Sequence, residues 1–346
     1  MKYMKKVTVF LMVLLITVLM AGATSAFAYD FPKPKLPEDS VTTSKTEKKK
    51  NKTVTVNITT DKDGNFIQKE TITEKISKKG TKTVNTFIEM TEGMTYEIKE
   101  SEYPSGKTIS EAFLKQDGVL IQHLYELANP DNTGKLTSYS FVEGTEWYSE
   151  ASRKKDGTEY SMGKADDGKG HTKLVETTTK PDGTEIYISK ITNADTEYDK
   201  YEKKITYPDK SSVEIIRKMD EGSLWSVKDV RDADGTYHIS SVDYSADGTE
   251  VVIDDYLYGN RPINVIEKKA FKNNKTLKTI IIKSDKITEV GKQAFKGINT
   301  DVVIKIKADE SNFNRIVKLI KKSGINKKVT FERITDEEDE DIFPGL

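Results

Sequence analysis

Lys154-Lys155-Asp156-Gly157-Thr158-Glu159-Tyr160 is the stretch whose reading decides the fold. Asp-Gly favours backbone with φ > 0, and such turns join antiparallel strands. The same phrase returns at Asp182-Gly183, Asp234-Gly235 and Asp247-Gly248, each followed by Thr and then a polar, aromatic or aliphatic strand. Weaker signals fill the gaps: Asp167-Gly168, Asn193, Asp209-Lys210 and Glu221-Gly222. Upstream the beat continues through Asp63-Gly64, Gly80, Glu92-Gly93, Ser105-Gly106, Asp117-Gly118, Asn132 and Glu143-Gly144. A turn about every thirteen residues leaves strands of about nine or ten residues. The expected turn is the two-residue hairpin.

Working outward, the fold class is mainly β. Residues 53–260 read as a long antiparallel up-and-down meander of roughly fifteen strands. Val54, Val56 and Ile58 alternate with polar residues, and Ile186 and Ile188 share a face. Open sheets beyond about ten strands curl or split, so the meander is expected to be coiled or rolled. A membrane barrel fails on charge: residues 198–204 run Tyr-Asp-Lys-Tyr-Glu-Lys-Lys, which leaves no lipid-facing stripe. The spacing of Trp147 and Trp225 does not match the period of a propeller.

A different rhythm occupies residues 261–334. Ile266-x3-Ala270-Phe271 recurs as Val290-x3-Ala294-Phe295, a shift of 24 residues from Ala270 to Ala294. Leu277, Ile280 and Ile282 supply an apolar seam between them. The stretches from Ile266 and from Ile287 resemble BspA-type leucine-rich repeats. Asn274 stands where that family often has cysteine. The hairpins themselves resemble, more weakly, the Tyr-Asp and Asp-Gly-Thr repeats of bacterial surface proteins; residues 244–249 come closest. The leucine-rich-repeat resemblance implies a bacterial secreted or surface protein, often adhesive, and carries over no catalytic residue; that of the hairpins is too short to carry function. A short coil stack needs a cap. One is expected from a strand at Val302–Ile306, a helix with Ser311 as N-cap and Gly324 at its end, and a strand at Val329–Ile334.

The flanks are simpler. Residues 1–28 read as a signal peptide, with Lys2, Lys5 and Lys6 before the apolar run and Ala26-Phe27-Ala28 as the cleavage site. Residues 29–52 read as a Pro- and Lys-rich linker, and residues 335–346 as an acidic tail. Export places the chain outside the cell or on its surface. The net charge of −1 becomes about −4 without the three signal-peptide lysines, which argues against nucleic acid. No membrane contact is expected beyond export. With no cysteine there is neither disulfide nor thiol chemistry.

Chemistry is hard to find in these residues. His123, His171 and His238 lack metalloprotease spacing. Asp61-Lys-Asp63-Gly64-Asn65 hints at a calcium loop, but its Gly comes too early and no Glu closes it. No cofactor is expected. The aromatics carry more: Trp147, Tyr148 and Trp225 are the candidate ligand-binding residues, for a glycan or a surface protein. Ala270, Phe271, Ala294 and Phe295 are structural repeat residues. The favoured function is non-catalytic binding, adhesion or spacing. The competing one is a carbohydrate-active hydrolase with a carboxylate pair in a fold of the sheet.

Overall fold

The computed structural model describes residues 36–335 apart from 143, 197 and 258–260. The signal peptide, the start of the linker and the tail after residue 335 lie outside the described residues. The first strands are β1 (Val41–Lys49), β2 (Lys52–Thr60), β3 (Phe66–Ile76), β4 (Lys82–Met90), β5 (Met94–Glu102) and β6 (Thr108–Gln116). Next come β7 (Val119–Ala128), β8 (Gly134–Val142), β9 (Thr145–Arg153), β10 (Glu159–Asp166), β11 (His171–Thr179) and β12 (Glu185–Asn193). The meander closes with β13 (Tyr198–Thr206), β14 (Ser212–Asp220), β15 (Ser223–Arg231), β16 (Tyr237–Tyr244) and β17 (Glu250–Ile253). The protein is mainly β and is built on a long antiparallel up-and-down meander.

Two compact units share the chain. The first holds the residues up to Gly168 with Glu176–Pro181, and the second holds Lys169–Val175 with Asp182 onward.

In the first unit each strand pairs antiparallel with its sequence neighbour from β1 to β10. The meander starts earlier than expected: part of the stretch read as linker is β1. Every residue of that strand is exposed. Its polar side chains explain why it forms. Thr42 and Thr46 meet Thr59 and Thr55 across the pair, at 2.9 and 3.1 Å between hydroxyls, and the Ser44 hydroxyl donates to Asn57 at 2.7 Å. Lysines on such an edge discourage pairing with other chains.

One face of this unit is much more deeply buried than the other. Ile88, Tyr96, Ile98, Ala112 and Leu124 form its core. Register puts Gln122, Glu126 and Ser138 on the same face, and all three are buried. Among the described residues these strands touch mainly their neighbours in the sheet. A single sheet shields one face only by coiling towards it.

Two kinds of turn recur. Asp117-Gly118 and Glu221-Gly222 are the expected two-residue loops, with both residues at positive φ. The sharper Asp-Gly signals differ. At Asp156-Gly157 the Lys154 carbonyl accepts from Gly157 N, Lys154 N donates to Thr158 O, and Gly157 takes φ +87 while Asp156 stays at negative φ. This is a three-residue loop with a glycine bulge. The aspartate explains it, since its carboxylate accepts from the Thr158 amide at 2.8 Å and holds the tighter turn. Asp234 does the same to the Thr236 amide at 2.8 Å. Alternate turns also pack: a Cβ on Gly106 would lie 2.9 Å from Pro130 Cγ.

In the second unit β12 to β16 continue the antiparallel meander. Then the pairing changes sense. β17 is antiparallel to β16 but parallel to a later strand. After β18 (Tyr256–Leu257), β19 (Arg261–Pro262) and β20 (Val265–Ile266) come β21 (Thr279–Ile282), β22 (Glu289–Val290), β23 (Val303–Lys307) and, beyond a helix, β24 (Thr330–Ile334). β17, β21, β23 and β24 form a parallel ladder, and β20 and β22 form a second, two-stranded one. The backbone repeats with the sequence period: Lys269 and Gln293 take φ of 64 and 63°, and Asn273 and Gly297 take 60 and 73°. Coils stack closely, so that a Cβ on Gly291 would fall 2.3 Å from Lys268 N. Asn274 closes its own turn through Oδ1, which accepts from the Thr276 and Leu277 amides at 3.0 Å each.

Phe271, Phe295, Leu277, Ile280, Ile282, Ile304 and Ile306 share one core with Ile239, Val251 and Ile253 of the meander's last strands. The boundary expected at residue 260 therefore falls inside this core. Ala294 is fully buried, whereas Ala270 is only partly so. Helix α1 (Glu310–Lys322) caps the stack through Ile316, Val317 and Ile320. Its N-cap is Asp309, not Ser311: Asp309 Oδ1 accepts from Asn312 N at 2.7 Å. A carboxylate also suits the positive end of the helix dipole. Gly324 follows at φ +94, the left-handed residue that ends many helices.

Candidate binding surface

Strand register sorts the candidate aromatics. Phe113, His123, Tyr139, Tyr148 and Lys164 face one another in a row across β6 to β10. They occupy the less buried face of the first unit. Phe113 and His123 stack with ring centroids 4.5 Å apart and planes 6° from parallel, and the Lys99 ammonium lies 5.4 Å from the Phe113 centroid. Tyr148 donates to Glu150 Oε2 at 2.9 Å, and Lys135 reaches the same carboxylate at 2.9 Å. Tyr160 donates to Glu176 Oε1 at 3.1 Å. Burial, and then that neighbouring carboxylate, push the Tyr160 phenol up to about 12. Burial followed by the Glu150 bond raises Tyr148 too. These phenols stay protonated and serve as donors.

Trp147 is adjacent to Tyr148 in β9, so it points to the opposite, more buried face. Its register neighbours are Ser140 on β8 and Ala165 on β10. Neither is long enough to cover an indole, and Trp147 is 41% exposed. An exposed indole on the buried side of a coiled sheet is a ready anchor.

Trp225 belongs to the second unit and is built differently. Its register neighbours are Lys218 and Asp243, and the Lys218 ammonium sits 5.3 Å from its ring centroid. The cation already occupies one face of the ring.

The remaining polar candidates are satisfied within the fold. Asp61 Oδ1 accepts from the Asp63 and Asn65 amides at 2.9 and 2.8 Å, and its Oδ2 from the Asn65 side chain at 2.9 Å. The Asn65 bonds, side chain first, lower its pKa. The carboxylate thus closes a turn. His171 and His238 pair with Asp195 and Asp232 at 2.9 and 3.1 Å. In the second unit an open groove of about 480 Å³ runs past Thr236, Asn264, Lys286 and Arg315. Arg315 is committed there: it donates to the carbonyls of Ile287 and Asp285 and to Asn312 Oδ1. Asn264 is too, accepting from Ile239 N at 2.7 Å and donating to Tyr237 O at 3.1 Å.

Ser138, Ser149 and Gly163 lie beside Trp147 on its face, and sequence reasoning passed over all three. The available signal was small residues at alternate positions in three successive strands, with a glycine in mid-strand. Comparison with protein families, with curated proteins and with solved structures finds no match for this chain.

Proposed function

We propose that this chain is a secreted or cell-surface bacterial protein that acts as a non-catalytic binding and spacer module. The observation that carries the reading is Trp147, exposed and uncovered on the more buried face of the first unit's sheet. The hairpin array supports the spacer role, because each hairpin adds length through contacts with its neighbours alone. The stacked coils later in the chain, with their resemblance to BspA-type leucine-rich repeats, support a surface setting and adhesion. Among the described residues no helix is long and apolar enough to cross a membrane.

A binding screen of the mature chain against immobilised glycans and bacterial and host surface proteins tests the reading. Saturable binding that Trp147→Ala removes and Trp225→Ala retains is the expected result. Turnover of a polysaccharide by the purified chain would overturn it in favour of a hydrolase.

A further inference from the structure

We infer that the face around Trp147 is a saccharide-binding trough that takes a neutral sugar chain laid across β8, β9 and β10. The inference rests on the binding reading above and names the class of ligand. Two register rows form the floor: Ser138, Ser149 and Gly163 in one, and Ser140, Trp147 and Ala165 in the other.

Gly163 is the first reason. It sits within β10 with an ordinary φ, and nothing lies within 4 Å of where its Cβ would be. Neither turn geometry nor a close neighbour in the chain requires glycine there. Glycine weakens a strand, and within one it often marks the close approach of another molecule. The space above it opens on the same face of the sheet as Trp147.

Ser138 is the second. Its residue is 6% exposed, and its hydroxyl has no hydrogen-bond partner. Buried hydroxyls are ordinarily paired, so this one is a vacancy for a donor or acceptor. Ser149 stands directly opposite it on the next strand.

The ligand class follows from the chemistry. None of the six floor residues is charged, so a polyanion would meet no compensating cation. A pyranose has an apolar C–H face and a rim of hydroxyls. The C–H face suits the bare indole, and the rim suits the serine hydroxyls. Adjacent strands lie roughly 4.8 Å apart, close to the length of one sugar unit in an extended chain. Successive rings can therefore fall on successive strands.

The test uses the full mature chain carrying Trp225→Phe, so that Trp147 is its one indole. Neutral gluco-, manno- and xylo-oligosaccharides are titrated against its fluorescence and by calorimetry, with polygalacturonate and a surface-protein panel as separate arms. A neutral saccharide should shift the Trp147 emission. Gly163→Val, which fills the open space with a strand-favouring side chain, should weaken that binding at least tenfold with an unchanged circular dichroism spectrum. Ser138→Ala should weaken it less. Unchanged saccharide affinity in Gly163→Val would overturn the trough. Binding only of polygalacturonate or of a protein would overturn the ligand class and leave the binding reading standing. Silence in every arm would remove both.

Discussion

Phe271 and Phe295 lie one coil apart, their ring centroids 5.1 Å from each other and their planes tilted by 36°. Both are essentially inaccessible to solvent. A residue spacing of 24 thus becomes a ring-on-ring contact. Tyr244 extends the series from the meander, with its ring 6.4 Å from Phe271 in an edge-on arrangement. The meander and the coils are held by one aromatic column.

Phe295→Ala should open that column. Truncating a buried Phe typically costs about 3–5 kcal/mol. Limited proteolysis should then cut between Ile263 and Ile334, while the first unit survives as a resistant fragment. Resistance equal to the parent would show that Phe295 does not hold the stack.

Arg315→Met should loosen the cap. The guanidinium joins α1 to the carbonyls of Ile287 and Asp285, and its removal leaves both without that donor. Losing a charged hydrogen-bond donor of this kind costs about 1.5–3 kcal/mol. Amide exchange in Glu310–Lys322 should quicken, with β12 to β15 unaffected.

Gly106→Ala should destabilise the first unit. Its φ of +81 disfavours any Cβ, and the new methyl would meet Pro130 Cγ at 2.9 Å. A cost of about 1 kcal/mol or more is expected. Chemical denaturation followed by circular dichroism measures it. Gly118→Ala, with the same sign of φ but nothing within 4 Å, should cost less.

Acid should release the turns. Hydrogen bonds from Ser245 and Thr249 hold the Asp247 carboxyl down at about 2. Those from Thr158 and Thr236 lower Asp156 and Asp234. A depressed carboxyl pKa gives stability that is present above the ordinary carboxylate value. That stability is lost as pH falls through the folded value. The relevant window therefore runs from about 4 down to about 2. Asp247→Asn retains an acceptor oxygen but does not titrate. It should fold at neutral pH and show a weaker acid dependence at its hairpin, read by amide exchange of Glu250 and Val251.

Much of the architecture was legible because its causes are local. Asp-Gly-Thr makes a turn wherever it occurs, since the aspartate, the glycine and the following amide are all within the turn itself. The 24-residue period became stacked coils for a similar reason: identical short segments adopt identical backbone. Local reasoning missed β1, whose lysines suggest a solvated tether. Its threonines and serine find partners only when β2 is beside them.

The binding surface was less legible. Sequence could place Trp147 and Trp225 on strands and mark both as anchors. It could not say which indole is bare, because that depends on residues in neighbouring strands and on register. Ser140 and Ala165 leave Trp147 open, while Lys218 and Asp243 flank Trp225, with the Lys218 ammonium over its ring. Turn chemistry is carried by adjacent residues, so the chain alone determined the meander and its beat. Exposure is a property of what packs alongside, so only the tertiary structure decided which side chain is available to a ligand.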